Sequence, residues 1–307
     1  MTIDHILCGW RVRSALPLPE LLPWQGVDRP VDVEISLGPI PACTDTPIFV
    51  LPHSKLWADG SFLLDLEDVG RFRVENGRRV VVEPAAGAAE SDLRAFLLGS
   101  VLGVLCHQRG LLPIHASAVR INDRAILIAG NSGAGKSTLA AALGARGHAL
   151  AADDVTAFDP AVGLILPAFP VRKLTTDVIQ ELALQHEGLE ANRPGQPKFR
   201  VPTRDNFAPT PLPPLAVYVL SVRGAAMQPG KIDRSHPAKA MGQLNSMIYR
   251  RAVGMRIQPQ PTLFRSLARL AQLAPVHHLH RLEGQSLRTL NQMAAEVEAH
   301  AFSVLAK

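Results

Sequence analysis

The sequence predicts an α/β protein whose main domain carries a mixed sheet, with a smaller β-rich domain ahead of it. Three observations predict this class. The first is AILIAGNSGAGKS, Ala125 to Ser137, a short apolar run that turns through glycines into an Ala/Leu-rich helical stretch. The second lies just before it: Ile114 to Ile121 and Arg124 to Ala129 both read as strands, with only Asn122 and Asp123 between them. Two strands joined that tightly are antiparallel neighbours, because a parallel pair needs a long crossover. The third is HALAADD, His148 to Asp154, a short strand after one helix. Strand, helix and strand in that order imply a parallel pair with a right-handed crossover, so the sheet is mixed.

Between Ile3 and about Val82, short β-type runs alternate with turn signals: VDVEISL from Val31, PIFVL from Pro47, SFLLDL from Ser61 and GRFRVENGRRVVVE from Gly70. The last predicts a hairpin, since Asn76-Gly77 supplies a two-residue turn and Phe72 and Val74 alternate with Arg71 and Arg73. PAAGAAESD, Pro84 to Asp92, reads as a linker ending in a helix cap, with Ser91 before an apolar-periodic run that reaches Cys106. Residues 1–108 are therefore assigned to the β-rich domain with its linking helix, and 109–307 to the larger domain.

Beyond Asp154 the sequence predicts a turn at Asp159-Pro160, a β run from Leu164 to Leu166 and a helix around Thr175 to Gln185. The polar, Pro/Gly-rich stretch from Glu187 to Pro214 reads as an ordered loop or flap. LAVYVLSV, Leu215 to Val222, is apolar throughout, as a strand buried on both faces would be. Helices near Ala238 to Arg251 and Thr262 to Leu273, a strand from Val276 to Leu282 and a closing helix from about Gln285 to His300 complete the chain.

Composition is that of an ordinary globular protein, 47% hydrophobic and 19% charged. No apolar run reaches the length of a membrane span and the N-terminus has no basic-then-apolar secretory pattern, so a cytoplasmic protein with no membrane partner is expected. Cys8, Cys43 and Cys106 form no C-x-x-C arrangement, which indicates neither a disulfide framework nor a zinc site. The net charge of +5 is unevenly spread: residues 193–265 carry 12 Lys/Arg against two Asp/Glu, whereas 1–108 carry nine against 14. Such a basic stretch attracts phosphates, acidic peptide or nucleic acid. Few aromatics accompany it, which ranks acidic or phosphorylated substrates above nucleic acid.

Gly130, Gly135, Lys136 and Ser137 satisfy G-x-x-x-x-G-K-[ST], the Walker A phosphate loop, and the strand before it and helix after it supply the context the motif requires. The expected nucleotide-binding set is Gly130, Asn131, Ser132, Gly133, Ala134, Gly135, Lys136, Ser137 and Thr138. Glycines let successive N–H groups turn toward a polyphosphate, Lys136 reaches the terminal phosphates, Ser137 offers a hydroxyl to Mg²⁺, and the helix points its positive end at the same anion. Asp153 and Asp154 close the adjoining strand beside this loop. Adjacent carboxylates there point to different sides, so one can serve Mg²⁺ while the other accepts a hydroxyl proton; the sequence leaves open which does which. A helix-capping cluster is the competing reading.

HASAV at His115, GNSGAGKST and RGHALAADD together resemble the catalytic domain of the HPr kinase/phosphorylase family, closely over about 40 residues and in element order over the C-terminal two thirds. The resemblance implies a P-loop kinase domain of the HPr kinase/PEP carboxykinase type, with ATP and Mg²⁺ as cofactors. The wider arrangement looks like divergent serine kinases of that family, some of which act on precursor peptides of lasso-type natural products. Pro170 to Leu174 stand where the bifunctional enzymes carry E-I-R-G-x-G, which speaks against phosphorolysis and against HPr as substrate. What carries over is phosphorylation of a serine hydroxyl on a peptide or protein. Family position makes His115 a neighbour of the γ-phosphate or a carboxylate, against the plainer reading of a buried strand histidine. Homo-oligomers occur in the family, and a homo-oligomer is accordingly possible for this chain.

Arg172, Lys173, Lys198, Arg200 and Arg204 are candidates for holding phosphates or an acidic substrate, each weighed against a solvated surface role. His277, His278 and His280 invite a metal reading, but on a strand only His278 and His280 share a face and no third ligand is evident. Two other functions compete with a peptide or protein kinase: a small-molecule hydroxyl kinase, and a non-catalytic nucleotide-binding module. The 5% aromatic content weighs against the first and the intact Asp pair against the second.

Overall fold

Alternation of apolar and polar side chains along short runs decides the first part of the fold. In Trp10–Ser14, Trp10, Val12 and Ser14 turn inward while Arg11 and Arg13 turn outward. The computed structural model describes residues 3–185, 187–192, 197–223, 231–282 and 287–306. Nine strands make one sheet: β1 (Asp4–Leu7), β2 (Trp10–Ser14), β3 (Leu22–Pro23), β4 (Val33–Leu37), β5 (Phe49–Leu51), β6 (Ser54–Leu56), β7 (Phe62–Leu66), β8 (Gly70–Glu75) and β9 (Arg79–Pro84), in the order β3-β1-β2-β4-β9-β8-β7-β6-β5. The runs read from the sequence fall on β4, β5, β7 and the β8–β9 hairpin; the other strands are too short or too polar to announce themselves. Asn76 and Gly77 both have positive φ, 53° and 63°, the primed turn that matches strand twist.

A continuous helical stretch follows: α1 (Glu90–Phe96), a π-helical turn over Leu97–Val101, and α2 (Leu102–Gln108). It starts before Ser91. Ala89 is the N-cap and no side chain caps it, which corrects the expected Ser91 cap. The wider π turn buries all five of its residues rather than a stripe. One apolar cluster contains Phe72 and Val80 of the first sheet, Val101 and Leu105 of the helices, and Leu127 and Val217 further on, so residues before and after 108 share a core.

The remaining elements are β10 (Leu112–Ile114), β11 (Ala116–Ile121), β12 (Arg124–Gly130), α3 (Lys136–Ala145), β13 (Leu150–Ala152), β14 (Thr156–Asp159), β15 (Leu164–Leu166), β16 (Val171–Thr175), α4 (Thr176–Glu181), β17 (Lys198–Pro202), β18 (Pro214–Arg223), β19 (Ile232–Arg234), α5 (Pro237–Ser246), α6 (Arg251–Ile257), α7 (Gln260–Leu273), β20 (Val276–Leu282) and α8 (Leu287–Leu305). A six-stranded mixed sheet runs β13-β11-β12-β18-β20-β19. β11 and β12 are the expected antiparallel hairpin, and β18 and β20 continue parallel to β12.

β13 corrects one expectation. It pairs antiparallel with β11 rather than lying beside β12, because the hairpin strand already fills that edge of β12 and β18 fills the other. The crossover through α3 therefore skips one strand. Alternate residues of β12 serve two cores: Ile126 and Ile128 pack with α3 and α8, while Leu127 and Ala129 face the larger cluster.

The flap splits into β17, which pairs with β16, and connecting segments. On β20, His278 and His280 share a face with rings stacked 6.0 Å apart, whereas His277 lies against Tyr218 and His300. Among the described residues no group of three His, Cys, Asp or Glu is placed to hold a metal, and no helix is long and apolar enough to cross a membrane.

His107 of α2 is buried; its Nε2 donates to the Tyr249 carbonyl at 2.8 Å, and burial pushes its pKa down to about 4. A histidine kept neutral in the fold but titrating near ~6.5 when unfolded makes stability fall as pH drops through that interval. Urea unfolding at several pH values should show this loss, and His107→Asn should reduce it. A Cβ on Gly254 would meet the same ring at 2.3 Å, so Gly254→Ala should cost about 1–3 kcal/mol of stability; a neutral substitution would contradict this packing.

Candidate active site

The glycine loop leaves β12 and closes on α3. Gly133 and Gly135 have φ of 80° and 97°, left-handed values that a side chain would strain, and Gly135 is the N-cap of α3. Nothing lies within 4 Å of where a Cβ on Gly133 would stand, so the backbone faces open space. No acidic residue occupies the first turn of α3, whose N–H groups and positive dipole end stay uncompensated. Lys136 folds over the loop, its amine donating to the carbonyls of Gly130 (3.0 Å) and Asn131 (3.2 Å). Burial pulls the pKa of this amine down, opposed by Asp154 and Asp153.

The two aspartates after β13 separate cleanly. Asp153 is 3% exposed. Its Oδ1 accepts from Ser117 Oγ (2.6 Å) and Ser137 Oγ (2.9 Å), and its Oδ2 accepts from the Lys173 backbone N–H (3.0 Å). Asp154 has a positive φ of 74°, a strained value for a residue other than glycine, and its carboxylate lines the cavity in front of the loop. Its Oδ2 accepts from Lys173 Nζ at 2.7 Å, and Oδ1 lies 3.2 Å from His115 Nδ1. Burial pushes this carboxyl's pKa up, but Lys173 and His115 outweigh it and hold it well below the ordinary carboxylate range.

His115 joins the loop to Asp154. Lys136 Nζ, which can only donate, lies 2.9 Å from His115 Nε2, so the ring hydrogen sits on Nδ1 and points at Asp154. The ring is placed from behind: its backbone N–H donates to the Met247 carbonyl at 2.7 Å, and Tyr249 packs on it with centroids 5.7 Å apart.

These groups line a cavity of about 350 Å³. Ser132, Gly133, Gly135, Lys136, Ser137 and Thr138 form its loop side; Gly130, Asn131 and Ala134 do not line it, the carbonyls of the first two accepting from Lys136 Nζ and the Ala134 N–H donating to the Asn131 carbonyl. Lys173 and Lys198 reach it from the antiparallel β16–β17 pair.

Three of the basic candidates lie elsewhere. Arg172 points to the opposite face of β16, buried against the C-terminal end of α3, where a Cβ on Gly144 would come within 2.5 Å of its guanidinium. A cation there complements the helix dipole. Arg200 is buried in an ion-pair network with Glu20 and Glu190, and Arg204 donates to the Pro19 carbonyl at 2.7 Å. Both tie β17 to the first 20 residues.

The sequence reading passed over Ser117, although it stands inside the HASAV run, two residues beyond His115, which lies in the bend between β10 and β11 rather than on a strand. It also missed Asp177 and Glu181 of α4 and Leu290 and Met293 of α8, which close the cavity's outer walls.

No protein-family model matches the chain, and no curated protein matches it. Among solved structures it is similar to the Hpr(Ser) kinase/phosphatase from Coxiella burnetii, at 15% identity over 63% of this chain and 98% of that one, with a TM-score of 0.30. A likeness of that size leaves the reading of this site to its own residues.

Ser117→Ala would leave the buried Asp153 carboxylate one donor short. Hydrogen bonds to charged groups contribute about 1.5–3 kcal/mol, so the variant should lose stability of that order in urea unfolding. Unchanged stability would mean that Ser117 does not hold Asp153.

Proposed function

We propose that the protein is an ATP- and Mg²⁺-dependent phosphotransferase acting on a serine hydroxyl of a peptide or protein. The observation that carries this reading is the division of labour between the neighbouring aspartates. Asp153 grips the loop hydroxyl Ser137, while Asp154 faces the cavity between His115 and Lys173.

The residues present fit a magnesium nucleotide. The loop has glycine where a Cβ would crowd a phosphate, an uncompensated helix N-terminus behind it, and a hydroxyl paired with a carboxylate, the oxygen-donor set that Mg²⁺ takes. Ser137 and Asp153 would hold the ion, and the loop N–H groups with Lys136 the phosphates. Mg-ATP, when bound, supplies the phosphoryl group together with charge neutralisation. The backbone N–H groups of the loop and the side chains around it do the rest.

Phosphoryl transfer passes through a loose transition state, so the protein mainly positions the acceptor and stabilises charge. Asp154 suits the acceptor side. Held ionised by Lys173 and His115, it would accept a hydrogen bond from an incoming hydroxyl and take its proton as the bond to phosphorus forms and the bond from that phosphorus to the departing diphosphate breaks. Lys173 and Lys198 place positive charge beside the transferring group. His115, fixed by the Met247 carbonyl, keeps Lys136 and Asp154 in register.

Asp154→Asn should lower transfer from γ-labelled ATP by about 10²–10⁴-fold while leaving the thermal shift with Mg-ATP intact. Lys136→Ala and Asp153→Asn should shrink that shift. Transfer by Asp154→Asn at the wild-type rate would contradict the assignment of the base.

A further inference from the structure

Between Ser235 and Leu282 the sequence contains no Asp or Glu and seven Lys/Arg. This stretch builds α5, α6 and α7, which enclose a groove of about 380 Å³ away from the catalytic cavity. Leu263 and Leu267 form its buried floor, half-buried Met241 and Met255 its walls, and Phe264, 61% exposed, stands at its edge with Arg251. Among the described residues that line it there is no carboxylate, and its one charged side chain, Arg251, donates to Asn245 and meets no acid.

The groove is joined to the catalytic site by a short piece of chain. α5 runs directly into Met247, whose carbonyl accepts the His115 N–H, and Tyr249, which packs on the His115 ring. The joining segment therefore reaches the site at the His115 and Asp154 side.

An apolar trough with methionine walls accommodates varied apolar side chains, and an arginine without an acidic partner, on helices whose stretch of chain carries no Asp or Glu, favours an acidic flank. Single-stranded nucleic acid would need stacking faces, of which the groove has only Phe264. We propose that the groove between α5, α6 and α7 docks an acidic, apolar-bearing segment of the polypeptide that presents its serine to Asp154. The inference rests on the phosphotransferase reading for the identity of the guest, and on the groove alone for its chemistry.

The test uses the full chain and a synthetic probe: a fluorescent peptide of about 20 residues with Leu and Phe at helical spacing and Glu between them, beside an isomer of scrambled order. Without nucleotide, anisotropy should show binding that weakens about ten-fold or more with Phe264→Glu and with Arg251→Glu, and that falls as salt is raised. Both side chains are exposed, so unchanged thermal unfolding of the variants confirms an intact fold. Equal binding to wild type and variants, or equal binding of the scrambled isomer, would overturn the proposal. So would a groove-dependent preference for an oligonucleotide or anionic vesicles, or a wild-type dimer that Phe264→Glu splits in sedimentation, since the face would then belong to another guest.

Extending the probe with a serine-containing tail separates this inference from the one beneath it. Groove-dependent binding with no phosphate transfer leaves the groove standing and removes the phosphotransferase reading. Transfer at an undiminished rate by Phe264→Glu does the reverse.

Discussion

One carboxylate ties the site together. Asp153 is almost fully buried and accepts from three elements that are distant in sequence: Ser117 on β11, Ser137 at the head of α3 and the Lys173 backbone on β16. An ion buried in this way is tolerated only when its oxygens are satisfied, so all three elements must be in place together. The glycine loop, the antiparallel β16–β17 pair bearing the cavity's lysines and β11, which follows His115, are thereby fixed relative to one another. Asp154 follows this anchor directly in the chain, with a left-handed φ of 74°.

The first sheet enters the same arrangement from a distance. Arg94 of α1 and Arg200 of β17 share the carboxylates of Glu20 and Glu190, with Arg94 and Glu20 2.8 Å apart. Breaking such a buried pair costs more than forming it contributes, because the remaining charge is left unpaired. Arg200 stands opposite Lys173 in the β16–β17 register. The N-terminal part of the chain therefore braces the strand pair that delivers Lys173 and Lys198. Met247, at the C-terminal end of α5, holds His115 through its carbonyl.

Much of this was legible beforehand, for local reasons. Asn122-Asp123 and Asn76-Gly77 allow only tight antiparallel turns, and a glycine loop between strand and helix exposes backbone N–H groups whatever surrounds it. The remainder depended on partners far along the chain. Arg172, Arg200 and Arg204 share the composition of phosphate-binding residues, but Glu20 lies 180 residues from Arg200, and only the fold brings them to 3.1 Å. The place of β13 hinged on which edge of β12 was free, and the π turn in Leu97–Val101 has no local signature. Ser117 could have been found as the one other hydrogen-bonding side chain in the HASAV run that carries His115.

The claim that the two aspartates divide the work is tested most directly by a crystal structure with a non-hydrolysable ATP analogue and Mn²⁺ in place of Mg²⁺, the ion located by its anomalous scattering. The account predicts the ion at about 2 Å from Ser137 Oγ, on the Asp153 side, with the γ-phosphate in front of Asp154. An ion bound away from Ser137 and Asp153, or a nucleotide that leaves the loop empty, would contradict it.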